Sequence, residues 1–380
     1  MEPLAVPSDL LAPKKGLGAG EKIFAASQGR LMWLHFKRHK VAMAGLGIVG
    51  LMYVLAFLHG FVAPYEKMTR LKLNVYMPPV SIHFYDGERL SLRPFVYGVK
   101  QGLDPTRKFR VFEEDKSKKY PLRSFVHGDK YKFLGLFETD RHLFGVDEGG
   151  VVALLGTDSL GRDVFSRILY GSAISLSIGL MGVIMSFLLG ATLGGVSGFY
   201  GRWVDTIIQR IIEFLMSVPT IPLWMGLAAA VPVNWPPTRV YFMITLILSL
   251  AGWCGLGRIV RSKILELREE DFTMAAMLAG CSSWQIILRH LLPSTMSYLI
   301  VHMTMAIPGM MLGETALSFL GLGLRTPVVS WGVMLNDTMD VSAVLTRPWL
   351  MWPAAFVIFF VLACNFMGDG LRDAADPYKA

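Results

Sequence analysis

The sequence predicts an all-α polytopic membrane protein of six transmembrane helices, with an extracytoplasmic insertion between the first and the second. Three observations carry that expectation. The 380-residue chain is 53% hydrophobic and 17% charged, its mean hydropathy is +0.46, and apolar stretches of about bilayer length recur along it. A soluble chain of this size carries about 25% charged residues, so the deficit points to lipid. Lys and Arg (37) exceed Asp and Glu (29), leaving a net charge of +8. In a membrane protein that excess sits at cytoplasmic helix ends and faces anionic lipid, so no nucleic acid partner is implied.

A helix crossing a hydrocarbon core of about 30 Å needs about 20 apolar residues, because every backbone polar group must be paired internally. Residues 41–63 hold no charge, and neither do residues 171–199, a run long enough to tilt or to project from the bilayer. Residues 211–233 carry only Glu213 and residues 240–257 are uncharged. Pro232, Pro236 and Pro237 between them read as the turn of a helical hairpin. Residues 295–323 carry one acid, Glu314, and residues 350–368 none before Asp369. Pro219 and Pro222 are expected to kink the third span and Pro308 the fifth, as a gate would require.

Residues 1–40 are polar and basic, without a signal-peptide pattern, so the first span reads as uncleaved. Residues 30–40 mix apolar and basic side chains, as an interfacial helix or a cytoplasmic extension of the first span would. The short connections on the N-terminal side hold Arg202, Arg210, Arg258, Arg261, Lys263, Arg268 and Arg289, whereas the opposite side holds only Arg239, Arg325 and Arg347. Both termini are therefore expected in the cytoplasm. Residues 64–154 are polar, with partly alternating pieces such as Lys108-Phe-Arg-Val-Phe112 and Tyr131-Lys-Phe-Leu-Gly-Leu-Phe137. They read as a small extracytoplasmic subdomain with some strand, either docking a partner or only decorating the spans. Cys254, Cys281 and Cys364 fall in spans or in the cytoplasmic connection and imply no disulfide framework.

Gly190, Gly194 and Gly198 recur every four residues, and Gly309 and Gly313 repeat the spacing, so two spans present small faces for close helix approach within or between subunits. Glu314 faces either the pathway or a neighbouring helix. At residues 156–171, Thr157 or Asp158 can cap a helix along which Arg162, Asp163 and Arg167 can pair, closing the mouth of a pathway or anchoring the second span. Asp369, Arg372, Asp373 and Asp376 read as a polar lock on the last cytoplasmic turn, or as simple capping.

Catalytic and metal-binding patterns are missing. Gly-Lys does not occur, which excludes a phosphate-binding Walker loop, and there is no His-Glu-x-x-His, Gly-x-Ser-x-Gly or Cys-x-x-Cys. The histidines lack metal-ligand spacing, and His302 reads as an interhelical residue. Few acids lie within the spans, so a proton or sodium relay is unsupported and any driving energy is expected from another chain.

The cytoplasmic connection, residues 258–293, reads as two short helices. Asp271 can cap the first, Gly280 can end it in the left-handed conformation, and Ser282 with Gln285 forms a capping box for the second, which Pro293 bounds. Ala275 and Ala276 keep the first helix thin enough to enter a groove on a partner. This stretch resembles the EAA loop of ABC importer permeases, matching it at Ala275, Ala276, Gly280, Leu292 and Pro293, with Met274 where that family usually has Glu. Residues 155–171, Leu317-Ser-Phe-Leu-Gly-Leu-Gly323 with Ser330-Trp-Gly332, and residues 368–377 look like the oligopeptide/dipeptide permease branch in its C-type subunit. The resemblance covers residues 30–63 and 155–380; the insertion departs from it.

The resemblance implies a type I ABC importer permease fold with its core at 155–368 and a cytoplasmic tail at 369–380. It implies a multi-pass inner-membrane subunit that binds no cofactor, with ATP and Mg on partner subunits. The expected partners are a second homologous permease, two ATP-binding subunits or a fused pair, an extracytoplasmic solute-binding protein and the bilayer. Phe272, Thr273, Met274, Ala275, Ala276, Gly280, Leu292 and Pro293 would couple to the ATPase. Peptides are the expected cargo, with oligosaccharides or opine-like solutes as the alternative. A stand-alone channel or ion-coupled carrier is the reading from another class, and the inverted repeat that would favour it is not found.

Overall fold

A computed structural model describes residues 28–71, 74–85, 90–103, 110–133, 135–147 and 149–375. Residues 1–27, Lys108, Phe109, Leu134 and Asp376 lie outside the described residues. Among the described residues, five helices are long and apolar enough to cross a bilayer, and a bent pair supplies a sixth if it counts as one span.

Helix α1, Gln28–Arg38, stops where His39 turns extended, and His39 Nδ1 accepts a hydrogen bond from Ala42 N to cap α2, Lys40–Phe57. The basic stretch is thus a helix of its own and not an extension of the first span. One further turn, α3 (His59–Val62), leads out of the span.

The insertion is β-structured. Strands β1 (His83–Tyr85), β2 (Leu90–Leu103) and β3 (Arg110–Pro121) form an antiparallel sheet in that order, and β4 (Arg123–Phe133) pairs with β5 (Phe137–Gly145) in a separate hairpin. The hairpin sits on the end of the first span: Tyr131 lies against Gly60, and His142 Nδ1 bonds Ala63 O at 2.5 Å. This end of the molecule is its insertion side.

The spans that follow are α4 (Val164–Tyr200), the pair α5 (Arg202–Ser217) and α6 (Thr220–Ala229), and α7 (Pro237–Leu267). The third span is not kinked but broken, because α5 and α6 meet at 89°. Val218 precedes a proline and takes extended geometry (ψ 131°), and Pro219 has no N–H with which to continue the helix. Pro237 opens α7 at a position where its missing N–H is harmless. Then come α8 (Asp271–Leu278), α9 (Ser283–Gln285), a π turn (Ile286–Leu291), α10 (Leu292–Phe319), α11 (Trp331–Asn336), α12 (Val341–Thr346) and, after a 3-10 turn, α13 (Trp352–Ala375). Pro308 is buried inside α10, which runs on through it.

The glycine stripe packs inside the chain. A Cβ at Gly194 would overlap Gly257 O, and one at Gly198 would lie 2.8 Å from Arg261 O, so α4 and α7 approach backbone to backbone. Gly313 faces Leu248 and Trp224, whereas Gly309 meets nothing within 4 Å. We expect Gly194→Val to destabilise the chain by about 3 kcal/mol through overpacking, read as a lowered thermal midpoint of the detergent-purified protein. Gly309→Val should leave that midpoint unchanged. Around this seam, Ile178, Leu248 and Met310 join α4, α7 and α10, while Phe36, Met52, Leu176 and Phe360 join α1, α2, α4 and α13. All three cysteines are free.

Candidate functional site

The loop between α7 and α10 builds a short helix on a rigid base. Glu270 occupies the capping position of α8 without a side-chain bond, so Asp271 is the first helical residue and not the cap. Gly280 ends the helix at φ +79°, the left-handed conformation that glycine adopts without strain. Ser282 and Gln285 exchange both bonds of a capping box. Pro293 does not bound the second helix. It lacks an N–H for the Arg289 carbonyl and its ring crowds that turn, and the backbone widens instead: Leu292 N donates to Ile287 O in the π turn that feeds α10.

The two alanines of α8 point in different directions. Thr273 and Ala276 turn inward: the Thr273 hydroxyl donates to Leu267 O at 2.8 Å, and Ala276, 8% exposed, packs with Val260, Ile264, Ile286 and Ile287. Phe272, Met274, Ala275, Met277 and Leu278 turn out, and Leu278 is 89% exposed. Only Ala275 keeps the outer face thin; Ala276 permits close approach of the chain to itself. Leu292 belongs to the apolar base and Pro293 to the first turn of α10. Arg261 clamps the same end, its Nε 2.5 Å from Asp205 Oδ1, which also accepts from the Ser197 hydroxyl at 2.5 Å. The base of α8 thus packs against α4, α7 and α10, and Arg261 ties α7 to α5.

On the insertion side, residues 156–163 form a tight turn with Gly156 and Gly161 at φ +77° and +72°. Neither Thr157 nor Asp158 caps the helix that follows. Asp163 does, its Oδ2 accepting from Ser166 N and Oγ at 2.7 and 2.6 Å. Asp158, 1% exposed, closes the turn instead: its Oδ1 accepts from Leu160 N and Arg162 N at 2.8 and 2.9 Å. Its Oδ2 takes Arg162 Nε at 2.7 Å and also Arg167 Nη1, and Arg167 lies 3.8 Å from Asp337 beyond α11. Arg162 thus pairs with Asp158 and not with Asp163.

Burial pushes the Asp163 carboxyl up to about 7, against the hydrogen bonds from Ser166 that pull it down. The folded chain then holds a proton that the unfolded chain, with a reference value of 3.8, has released. Stability from this group is full below the reference value and is lost as pH rises through about 7. Asp163→Asn should flatten that slope in thermal midpoints compared between about pH 5 and 8.

Glu314 is enclosed within this chain. It is fully buried, and it accepts from Ser175 Oγ at 3.0 Å and from Ser318 and Ser330 Oγ at 2.8 Å each. Trp331 N in turn donates to Ser175 Oγ at 3.1 Å, so one carboxylate knots α4, α10 and the start of α11. Pro219 and Pro222 sit at the break of the third span. Asp337, Ser175 and Ser330 were not legible as partners; no local spacing marks them.

The family described as binding-protein-dependent transport system inner membrane component matches residues 187–379, and the N-terminal transmembrane domain of oligopeptide transport permease C matches residues 27–79. The dipeptide transport system permease protein DppC of Bacillus subtilis is 30% identical over 347 residues, 91% of this chain and 84% of that protein. The oligopeptide transport system permease protein OppC of Haemophilus influenzae is 38% identical over 226 residues, covering 58% of this chain and 69% of that protein. Among solved structures, the inward-facing MetNI methionine ABC transporter is similar with a TM-score of 0.43 at 17% identity, over 55% of this chain and 96% of that one. The chain belongs to the binding-protein-dependent transport system inner membrane components, in the C-type branch of the oligopeptide/dipeptide permeases, as a membrane-spanning permease subunit of an ABC transporter.

Proposed function

We propose that this chain is one half of the pore of an ATP-driven peptide importer, set in the inner membrane with both termini in the cytoplasm. Its partners are a second, homologous permease subunit, two ATP-binding subunits or a fused pair that hold ATP and Mg, and an extracytoplasmic solute-binding protein. The observation that carries the reading is α8, whose apolar outer face of Phe272, Met274, Met277 and Leu278 stands exposed on a base shared by the long helices. An unpartnered apolar patch of this kind on rigid backing suits a partner groove. ATP-driven closure of the partner subunits would move α8, and the spans would exchange inward-facing for outward-facing states. Peptide as cargo is supported by relatives named dipeptide and oligopeptide permeases.

The test is purification of the tagged chain from its native membranes in mild detergent, followed by reconstitution of the recovered complex with the binding protein. Recovery of a second permease and an ATPase, with ATP-dependent uptake of a labelled tripeptide, is the expected result. Uptake of an oligosaccharide in its place overturns the cargo. Recovery of the chain alone, transporting without ATP, overturns the importer.

A further inference from the structure

Helices α2, α10 and α13 leave between them a crevice of about 1130 Å³ at the end of the molecule opposite the insertion. Its depth in a bilayer follows from its neighbours. A Cβ at Gly370 of α13 would lie 3.3 Å from the Phe36 ring, so the last turns of α13 run beside α1, whose Trp33, Lys37 and Arg38 are exposed. An exposed tryptophan among basic side chains on a short helix marks the headgroup layer. The mouth of the crevice lies at that layer, and its inner wall belongs to helices that cross the hydrocarbon.

The lining changes character along that depth. At the mouth, Asp369 and Arg372 stand one turn apart on α13, both exposed, and neither has an ion-pair or hydrogen-bond partner among the described residues. Opposite charges at this spacing can bond each other along a helix, so here a carboxylate and a guanidinium are both left open to a ligand. The neighbouring charges are engaged: Asp373 has a partner of its own, and Lys263, which lies over the Tyr298 ring, pairs with Glu266 at 2.8 Å. On α10, His302 is half-buried with its ring 4.7 Å from that of Tyr298. Its ring nitrogens are not enclosed by protein, and neither has a hydrogen-bond partner among the described residues. Further in, the wall is Val301, Met305 and Phe366, and Phe366 is 45% exposed. Arg372 and Phe366 are six positions apart, about 9 Å along a helix, or roughly the thickness of one headgroup layer.

The geometry points to a binding site for phosphatidylethanolamine, its ammonium on Asp369, its phosphate on Arg372 and His302, and an acyl chain along Val301, Met305 and Phe366. Both charges on the head are needed. A purely anionic head brings its charge against the unpaired carboxylate, and a purely cationic one against the guanidinium. A peptide is zwitterionic too, but its amide groups would lie unpaired against the apolar inner wall. The leaflet, cytoplasmic, follows from the orientation proposed above; the site itself does not depend on it.

The detergent-purified complex is titrated in native mass spectrometry with dioleoylphosphatidylethanolamine, and separately with dioleoylphosphatidylglycerol, phosphoethanolamine and a tripeptide with free termini. Phosphatidylethanolamine is expected on this subunit, about tenfold tighter than phosphatidylglycerol. Asp369→Asn should reverse that order, because it removes the partner of the ammonium and the repulsion on the anionic head together. Arg372→Gln should weaken both lipids about tenfold. Lys130→Gln, an exposed lysine on β4, should bind as the wild type does. A variant that merely misfolds would lose both lipids, so the reversal reads the site and not the stability. Equal binding of phosphatidylethanolamine by wild type and Asp369→Asn overturns the site, as does a wild-type preference for phosphatidylglycerol. Phosphoethanolamine or the tripeptide binding as tightly as the lipid also overturns it. Because uptake is not the readout, failure here leaves the importer reading standing.

Discussion

A chain carrying Ala275→Arg is expected to fold, insert and pair with its permease partner, yet to lose its ATPase subunit on purification and to import nothing. Ala275 is exposed on the outer face of α8, and a long charged side chain there would hold a close-fitting groove of the proposed partner away from the helix. A residue at the centre of such a patch is worth about 2 kcal/mol or more of association, roughly thirtyfold in affinity, and a buried unpaired guanidinium adds to that. The neighbouring Ala276→Arg gives a different result. Its side chain would enter the cluster of Val260, Ile264, Ile286 and Ile287, so the thermal midpoint of the isolated chain falls as well. Normal uptake by the Ala275→Arg chain, measured in liposomes, would remove α8 as the docking element.

The second large effect is expected at Asp158. Its carboxylate stands between two guanidiniums, Arg162 and Arg167, and all three side chains are buried. Asp158→Leu leaves two buried cations facing each other, a loss of about 3–5 kcal/mol. That is a large part of the stability of an ordinary domain, so accumulation in the membrane should fall steeply. Replacing all three together, as Asp158→Leu, Arg162→Met and Arg167→Met, removes the stranded charges and should restore much of the folded yield. Wild-type accumulation of Asp158→Leu alone would show that the cluster contributes nothing to stability.

Much of this architecture was written locally. The spans follow from uninterrupted apolar length, the Gly190, Gly194 and Gly198 face from a four-residue period, and the Ser282 to Gln285 box from a three-residue spacing. Each depends on residues within one or two turns of each other. What stayed hidden depends on residues far apart in sequence. Asp337 approaches Arg167 only once α11 has folded back on α4, and Glu314 meets Ser175 across 139 positions. The break at Val218 and the π turn before Pro293 were marked by prolines, but a proline does not say whether a helix kinks, breaks or widens. Tertiary packing decides that, and no spacing rule reports it.

On the proposed reading Ala275 meets an ATP-binding partner whereas Ala276 packs inside this chain, so genetics can tell them apart without any structure of the complex. Revertants of a bulky residue at 275 should carry second changes in the ATP-binding gene, where a pocket must be enlarged. Revertants of a bulky residue at 276 should map within this chain, to large-to-small changes at Ile286, Ile287 or Val260, and no allele of the ATPase should rescue them. Two adjacent codons for the same amino acid would thus give suppressor spectra that do not overlap.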